Sequence, residues 1–295
     1  MTTPQPLPQP LPSLSRHQLG AVTAMALICF AGNSLLCRLA LKTTAIDPTT
    51  FTWIRLLSGA LMLNFLVWRR DGPVGFGKGG WRSAWALFIY AAGFSWAYLQ
   101  LSTATGALIL FAAVQITMLS DAFWRGERFS KGQTVGFVTA LLGLIGLLLP
   151  GLQAPPLWAC VAMILAGMAW AAYTLLGKKA GDPTQVTAGN FARAAVLGSL
   201  LLLAMGLLDG VNPMLSPAEG VYFAIASGAL ASGCGYALWY MAMGHLKATT
   251  AATLQLSAPV LAALGGVVLL GEPLSDQLVI CGIAVLGGIA LVISL

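Results

Sequence analysis

The residues best equipped for chemistry here are neutral and polar, and each is set in a long apolar stretch: Asn33, Gln115, Tyr173 and Gln255. Amides and phenols offer donors and acceptors without fixed charge. In hydrocarbon such groups are costly unless they meet a partner or line a wet cavity, so they suit recognition of a polar small molecule rather than bond cleavage. Aromatic residues at helical spacing accompany them, with Tyr90, Phe94 and Tyr98 in one stretch and Tyr236, Trp239 and Tyr240 in another. Spacings of three and four put each set on one helix face, and with Trp170 and Phe30 they are either packing or the wall of a cavity that binds apolar groups. Substrate binding is therefore assigned to Asn33, Tyr98, Gln115, Trp170, Tyr173, Tyr236, Tyr240 and Gln255.

Arg55 and Arg193 each lie about two turns inside an apolar stretch. They are expected to be structural or gating, snorkelling or capping carbonyl ends, against the competing role of meeting an anionic substrate group. Pro259 is expected to kink its helix and free carbonyls. Catalytic and metal-binding constellations are missing: the histidines are His17 and His245, and there is no HExxH, GxSG, intramembrane aspartate pair or phosphate-cradling loop. An intramembrane protease or lipid-modifying transferase therefore lacks its machinery, and no cofactor or metal is implied.

The elements that must position these residues follow from composition. The 295 residues are 58% hydrophobic and 8% charged, too few charges for the surface of a soluble domain. Apolar runs long enough to span a bilayer fall near residues 20–40, 50–68, 83–101, 104–124 and 132–150, and again near 157–177, 188–208, 218–243, 247–270 and 276–295. Fourteen of the fifteen prolines lie outside or between these runs, and Pro259 sits within one. The fold class is all-α integral membrane, with ten transmembrane helices. Residues 1–19 form a Pro-rich tail that reads as disordered and uncleaved.

Cations set the orientation. With the tail inside, the inner segments hold Arg16, Arg69, Arg70, Lys78, Arg82, Arg125, Arg128, Lys131, Lys178, Lys179 and Lys247, and the outer loops hold Lys42. Both termini are then cytoplasmic, and the net charge of +6 marks topology rather than a nucleic-acid partner. Trp53, Trp68, Trp81, Trp85, Trp124 and Trp158 lie at span ends as interfacial anchors. The five cysteines sit within spans, without a CxxC, as small packing residues. Asp121 is placed to pair with Arg125, and no carboxylate lies deep in a span. A carboxylate proton relay is thus missing, which favours facilitated diffusion or exchange.

The chain also resembles itself. At an offset of 145 residues Gly126-Glu127 lies over Gly271-Glu272 and Gly143 over Gly288. At 140, SLLCRLA from Ser34 lies over TLLGKKA from Thr174, pairing Asn33 with Tyr173 and Phe30 with Trp170. At 138, Arg55 meets Arg193. Residues 20–150 and 151–295 therefore form two repeats of five helices, and the odd number inverts the second. Inverted repeats with a midplane site between halves are the architecture of alternating-access carriers.

CFAGNSLLCRLAL from Cys29, the Arg55 after IDPTTFTWI, and APVLAALGGVVLLGEPLSDQLVICGIAVLGGIAL from Ala258 resemble the EamA-type members of the drug/metabolite transporter superfamily. Phe30 and Ala113-Val114-Gln115 depart from its pattern. The resemblance implies a ten-helix carrier, commonly an exporter of amino acids or related metabolites, including those of the YddG-like kind. The partners implied are a small-molecule substrate and the inner-membrane bilayer; the oligomeric state is left open, a monomer included. Export of neutral or aromatic amino acids is expected, with purines or nucleosides as alternatives and a lipid flippase as the rival from another class.

Overall fold

The computed structural model describes residues 14–72, 77–101, 103–148, 156–178, 181–270 and 276–294, and among them there is no strand. The join near 150–156, Lys179, Gln153 and the Gly271-Glu272 pair lie wholly or partly outside the described residues.

Helix α1 (Arg16–Thr43) starts four residues before the expected end of the tail, because Ser15 and Gln18 form a reciprocal capping box. The structure thus corrects the disordered assignment for residues 16–19. The α2 (Pro48–Asp71) and α7 (Pro183–Asp209) helices both open on Asp-Pro-Thr. Asp47 accepts from the N–H groups of Thr49 and Thr50, and Asp182 from that of Gln185, with proline at N1 of each helix. Counted from these shared starts, Arg55 stands at the same position as Asn190, one turn before Arg193.

Between and after them come α3 (Trp81–Ala97), α4 (Thr103–Trp124), α5 (Lys131–Leu148) and α6 (Leu157–Gly177). The expected eighth span is α8 (Ala218–Ala226), a π-helical segment (Ser227–Cys234) and α9 (Gly235–Met243) in continuous succession. The ninth is broken at Leu256 into α10 (Ala248–Gln255) and α11 (Ser257–Leu270), and α12 (Asp276–Ser294) closes the bundle. Pro259 causes the break: it has no N–H to donate and its ring clashes with the carbonyl four residues back, that of Gln255. Ser257 Oγ donates to the Leu254 carbonyl at 2.7 Å and satisfies one acceptor at the break.

Apolar side chains cover the outside. Leu61, Ile116, Leu142, Leu203 and Ile280 are each more than 60% exposed, whereas Asn33, Arg55, Gln115, Asn190, Ser232 and Gln255 are buried. That inside-out polarity is stable in lipid and not in water. Five helices are long and apolar enough to cross a membrane, and shorter apolar helices run beside them.

Small residues set the helix contacts. The antiparallel α5 and α12 meet along Gly136, Ala140 and Gly143 on one side and Cys281, Val285 and Gly288 on the other. A methyl group on Gly143 would stand 2.9 Å from the Val285 nitrogen and 3.0 Å from the Cys281 carbonyl. One on Gly288 would stand 2.6 Å from the Ala140 nitrogen and closer still to the Gly136 carbonyl. Elsewhere α2 packs on α7, α3 on α6, α4 on α6 and α10, and α1 on α9 and α11.

Candidate functional site

A closed aromatic cluster occupies the centre of the bundle, built from α1, α3, α6 and α9. Trp170 lies 5.2 Å from Phe30, 5.0 Å from Tyr90 and 4.6 Å from Tyr236, ring centroid to ring centroid. Phe30 also meets Trp239 edge-on at 5.5 Å, and Tyr173 stacks on Tyr240 at 4.8 Å. Edge and offset contacts of this kind add to the burial of large apolar area. The helical spacing of Tyr236, Trp239 and Tyr240 turns all three inward, as the sequence allowed.

Polar groups thread this cluster. Trp170 Nε1 donates to Gln255 Oε1 at 2.6 Å, and Gln255 Nε2 reaches Met118 Sδ at 3.1 Å. Gln115, on the same face of α4 as Met118, donates to the Ala252 carbonyl at 2.6 Å, and its own carbonyl oxygen is buried without a partner. On the other side Asn33 Oδ1 accepts from Ser227 at 2.6 Å and from Ser232 at 3.3 Å. Ser232 in turn accepts from Arg55 Nε at 3.0 Å, and Arg55 Nη2 donates to Tyr236 Oη at 2.7 Å. Tyr240 Oη donates to the Tyr173 carbonyl at 2.8 Å, leaving the buried Tyr173 hydroxyl without a partner. Unpartnered buried acceptors and hydroxyls are costly, and a ligand is one way to satisfy them.

Of the residues assigned to substrate binding, Asn33, Trp170, Tyr173, Tyr236, Tyr240 and Gln255 come together here, and Gln115 joins through α10. Tyr98 stands apart: half-buried at the end of α3, it meets Phe94 at 4.7 Å and closes over Gly106. Arg55 neither snorkels nor caps, because it is 1% exposed and all its partners lie on other elements. Arg193 is half-buried and donates to the Gly189 carbonyl one turn earlier in α7. Trp53 Nε1 donates to Ser199 Oγ at 3.0 Å across α2 and α7.

Sequence reasoning passed over Ser227, Ser232 and Asn190. Asn190 Oδ1 accepts from the Gly80 nitrogen at 3.1 Å, and its Nδ2 is buried without a partner. The small residues of Ser227–Cys234 were the signal: a run of Ser, Gly and Ala is where neighbouring helices approach closely, and π segments concentrate at functional sites.

Charged contacts gather at the end of the bundle that carries the cations. Arg70 pairs with Asp182 at 2.9 Å, and Gln185 donates to Asp71 at 2.7 Å. Asp121 and Arg125 form the expected pair at 2.7 Å. Ser130 and Gln133 cap α5. Glu127 instead caps α10, accepting from the Thr249 nitrogen at 3.2 Å, its hydroxyl at 3.1 Å and the Ala248 nitrogen at 3.4 Å, with Lys178 at 3.7 Å. Burial pushes the Glu127 carboxyl up, but the donors of Thr249 and Ala248 and the Lys178 cation outweigh it and hold the group below the usual carboxylate range.

An all-helical bundle with an apolar exterior and a polar, aromatic centre defines a multi-pass membrane protein. The chain belongs to the EamA-like transporter family, whose model matches it twice in tandem, over residues 19–149 and 157–294. It is 54% identical to the uncharacterized protein PA1977 of Pseudomonas aeruginosa over 92% of this chain and 93% of that one. An uncharacterized transporter of Archaeoglobus fulgidus is 25% identical over 91% and 94%. The threonine/homoserine exporter RhtA of Escherichia coli is 30% identical over 50% of each chain. A solved crystal structure shares the fold with a TM-score of 0.77 at 20% identity, covering 94% of this chain and 98% of the other.

Proposed function

We propose that this transporter exports neutral amino acids, larger apolar or aromatic ones above all, by alternating access of two inverted five-helix halves in the inner membrane. The observation that carries the reading is where the halves meet. Asn33 with Ser227 and Ser232, Arg55 with Tyr236, and Gln115 with the Ala252 carbonyl all join first-half to second-half residues at the buried centre. A pathway between rocking halves would run there. Uncharged amides suit a zwitterion, and the ring cluster suits its side chain. The half-length similarity to a threonine/homoserine exporter supports an amino-acid cargo. Facilitated diffusion or exchange is the simplest mechanism, since the described carboxylates sit at helix ends.

The duplication has support beyond the tandem family match. Exchanging the halves maps the α3–α6 contact onto α8 and α9 with α1, and α4–α6 onto α11–α1, while α5–α12 and α2–α7 map onto themselves. At the α5–α12 seam the offset of 145 turns the contact of Gly143 with Cys281 into that of Gly288 with Gly136. Ten spans with both termini cytoplasmic follow on this reading. The Arg70–Asp182 pair and the Glu127 cap then close the cytoplasmic side. In whole cells, an impermeant thiol reagent should label Asn212→Cys and spare Lys78→Cys, and the opposite pattern would reverse the orientation.

The substrate test is flux into proteoliposomes of labelled neutral amino acids against labelled nucleosides, for which the ring cluster provides an equally good stacking wall. Saturable amino-acid flux, reduced at least about tenfold by Asn33→Ala through loss of a buried hydrogen-bonding group, is the expected result. Nucleoside flux without amino-acid flux would overturn the cargo and leave the carrier standing.

A further inference from the structure

Arginine does not lose its proton in proteins, so a buried guanidinium must find compensation in its surroundings. Arg55 is 1% exposed. Its Nε donates to Ser232 at 3.0 Å, and Nη2 donates to Tyr236 Oη at 2.7 Å and to Tyr90 Oη at 3.4 Å. The guanidinium carbon also stands 5.3 Å from the Tyr90 ring centroid and 5.8 Å from that of Phe94. All these neighbours are neutral. Among the described residues no carboxylate pairs with Arg55, and Nη1 is buried with no partner at all.

Phenol oxygens and ring faces offset part of the cost of desolvating a cation, but they do not neutralise it. A structural arginine in a membrane protein spends its donors on carboxylates or main-chain carbonyls, as Arg193 does on the Gly189 carbonyl within α7. Arg55 keeps one nitrogen in reserve beside the aromatic cluster. Tyr236 holds Nη2 and is itself 4.6 Å from Trp170 and 5.7 Å from Phe30. The charged donor and the apolar wall therefore share a residue.

We infer that Arg55 Nη1 binds the carboxylate of the transported molecule, whose negative charge completes the site. The inference rests on the amino-acid reading and narrows it: an amino acid is a substrate, and its amide or decarboxylated amine is not. It also replaces the purely structural or gating role expected for Arg55 with one in substrate selection. Ser232, which accepts from Arg55 Nε and donates to Asn33 Oδ1, then links the carboxylate site to the Asn33 amide.

The test is equilibrium binding of labelled phenylalanine to the purified full chain, in competition with phenylalanine, phenylalaninamide and phenethylamine. Charge-assisted hydrogen bonds predict that the amide and the amine compete roughly 10- to 100-fold more weakly than the acid. Arg55→Gln should bind acid and amide alike, and Arg55→Lys, which keeps the charge, should retain part of the preference. A merely structural arginine would lower folded yield without moving the acid-to-amide ratio, so each variant is also scored by size-exclusion profile. Equal competition by acid and amide on the unmodified protein overturns the carboxylate assignment and leaves amino-acid transport standing. An unchanged ratio in folded Arg55→Gln also overturns it. If neither variant folds, the ratio on the unmodified protein decides alone. Binding of a nucleoside with no binding of phenylalanine overturns the amino-acid reading and this inference with it.

Discussion

Gly228→Val is expected to abolish the folded protein. Gly228 lies in the π-helical segment where it crosses α2, and a Cβ there would collide with the Arg55 carbonyl oxygen and with Ser58 Oγ. The carbonyl is main chain and cannot swing aside. Its neighbours leave no slack, because a methyl group on Gly59 would stand 2.9 Å from the Gly228 carbonyl and 2.5 Å from the Phe191 ring. Overpacking of a tight core commonly costs about 1–3 kcal/mol, and a main-chain collision at a helix crossing belongs at or beyond the upper end. The damage would spread to Ser227 and Ser232, which hold Asn33 and Arg55. Size-exclusion profile and thermal melting after extraction provide the measurement. Gly287→Val is the control, since nothing lies within 4 Å of a Cβ at that position. A folded, normally melting Gly228→Val protein would show that the crossing is looser than described.

Trp170→Ala is expected to remove transport and to lower the melting temperature. Trp170 is 6% exposed and touches the rings of Phe30, Tyr90, Tyr173 and Tyr236. Truncating a buried tryptophan costs roughly 3–5 kcal/mol through lost contacts and the cavity left behind. The change also strips Gln255 Oε1 of its 2.6 Å donor. Trp170→Phe separates the two effects: it keeps an aromatic ring and loses the donor, so it should melt closer to the unmodified protein while still losing flux. Full transport by Trp170→Phe would show that the bond to Gln255 has no part in the pathway.

Much of this was legible in one dimension because lipid simplifies the code. A bilayer interior demands internal satisfaction of every backbone group, so long apolar runs are helices and their ends are marked by proline, acidic caps and cations. The boundary of α1 was missed by four residues because Ser15 and Gln18 act through a local cap that hydropathy does not register. Pro259 announced a break, since the missing N–H is a property of the residue itself. The polar and aromatic residues of the centre could likewise be picked out, because few reasons exist to keep Asn33, Gln115 or Gln255 in hydrocarbon.

What the sequence could not specify was which of these groups find each other. Spacing turned Tyr98 toward the same helix face as Tyr90 and Phe94, yet its place at the end of α3 sets it apart from the cluster. Glu127 lies just before α5 in the chain, yet it caps α10 more than a hundred residues away. Arg55 and Arg193 looked alike at a fixed offset, but counted from the Asp-Pro-Thr helix starts they stand one turn apart, and packing buries the first and leaves the second half-buried. By itself the sequence determined helices, apolar exterior and candidate polar centre, because those depend on transfer of each side chain between water and lipid. The tertiary structure decided partners and orphans, above all the unpaired Nη1 of Arg55, because hydrogen bonds act over about 3 Å and depend on how distant segments cross.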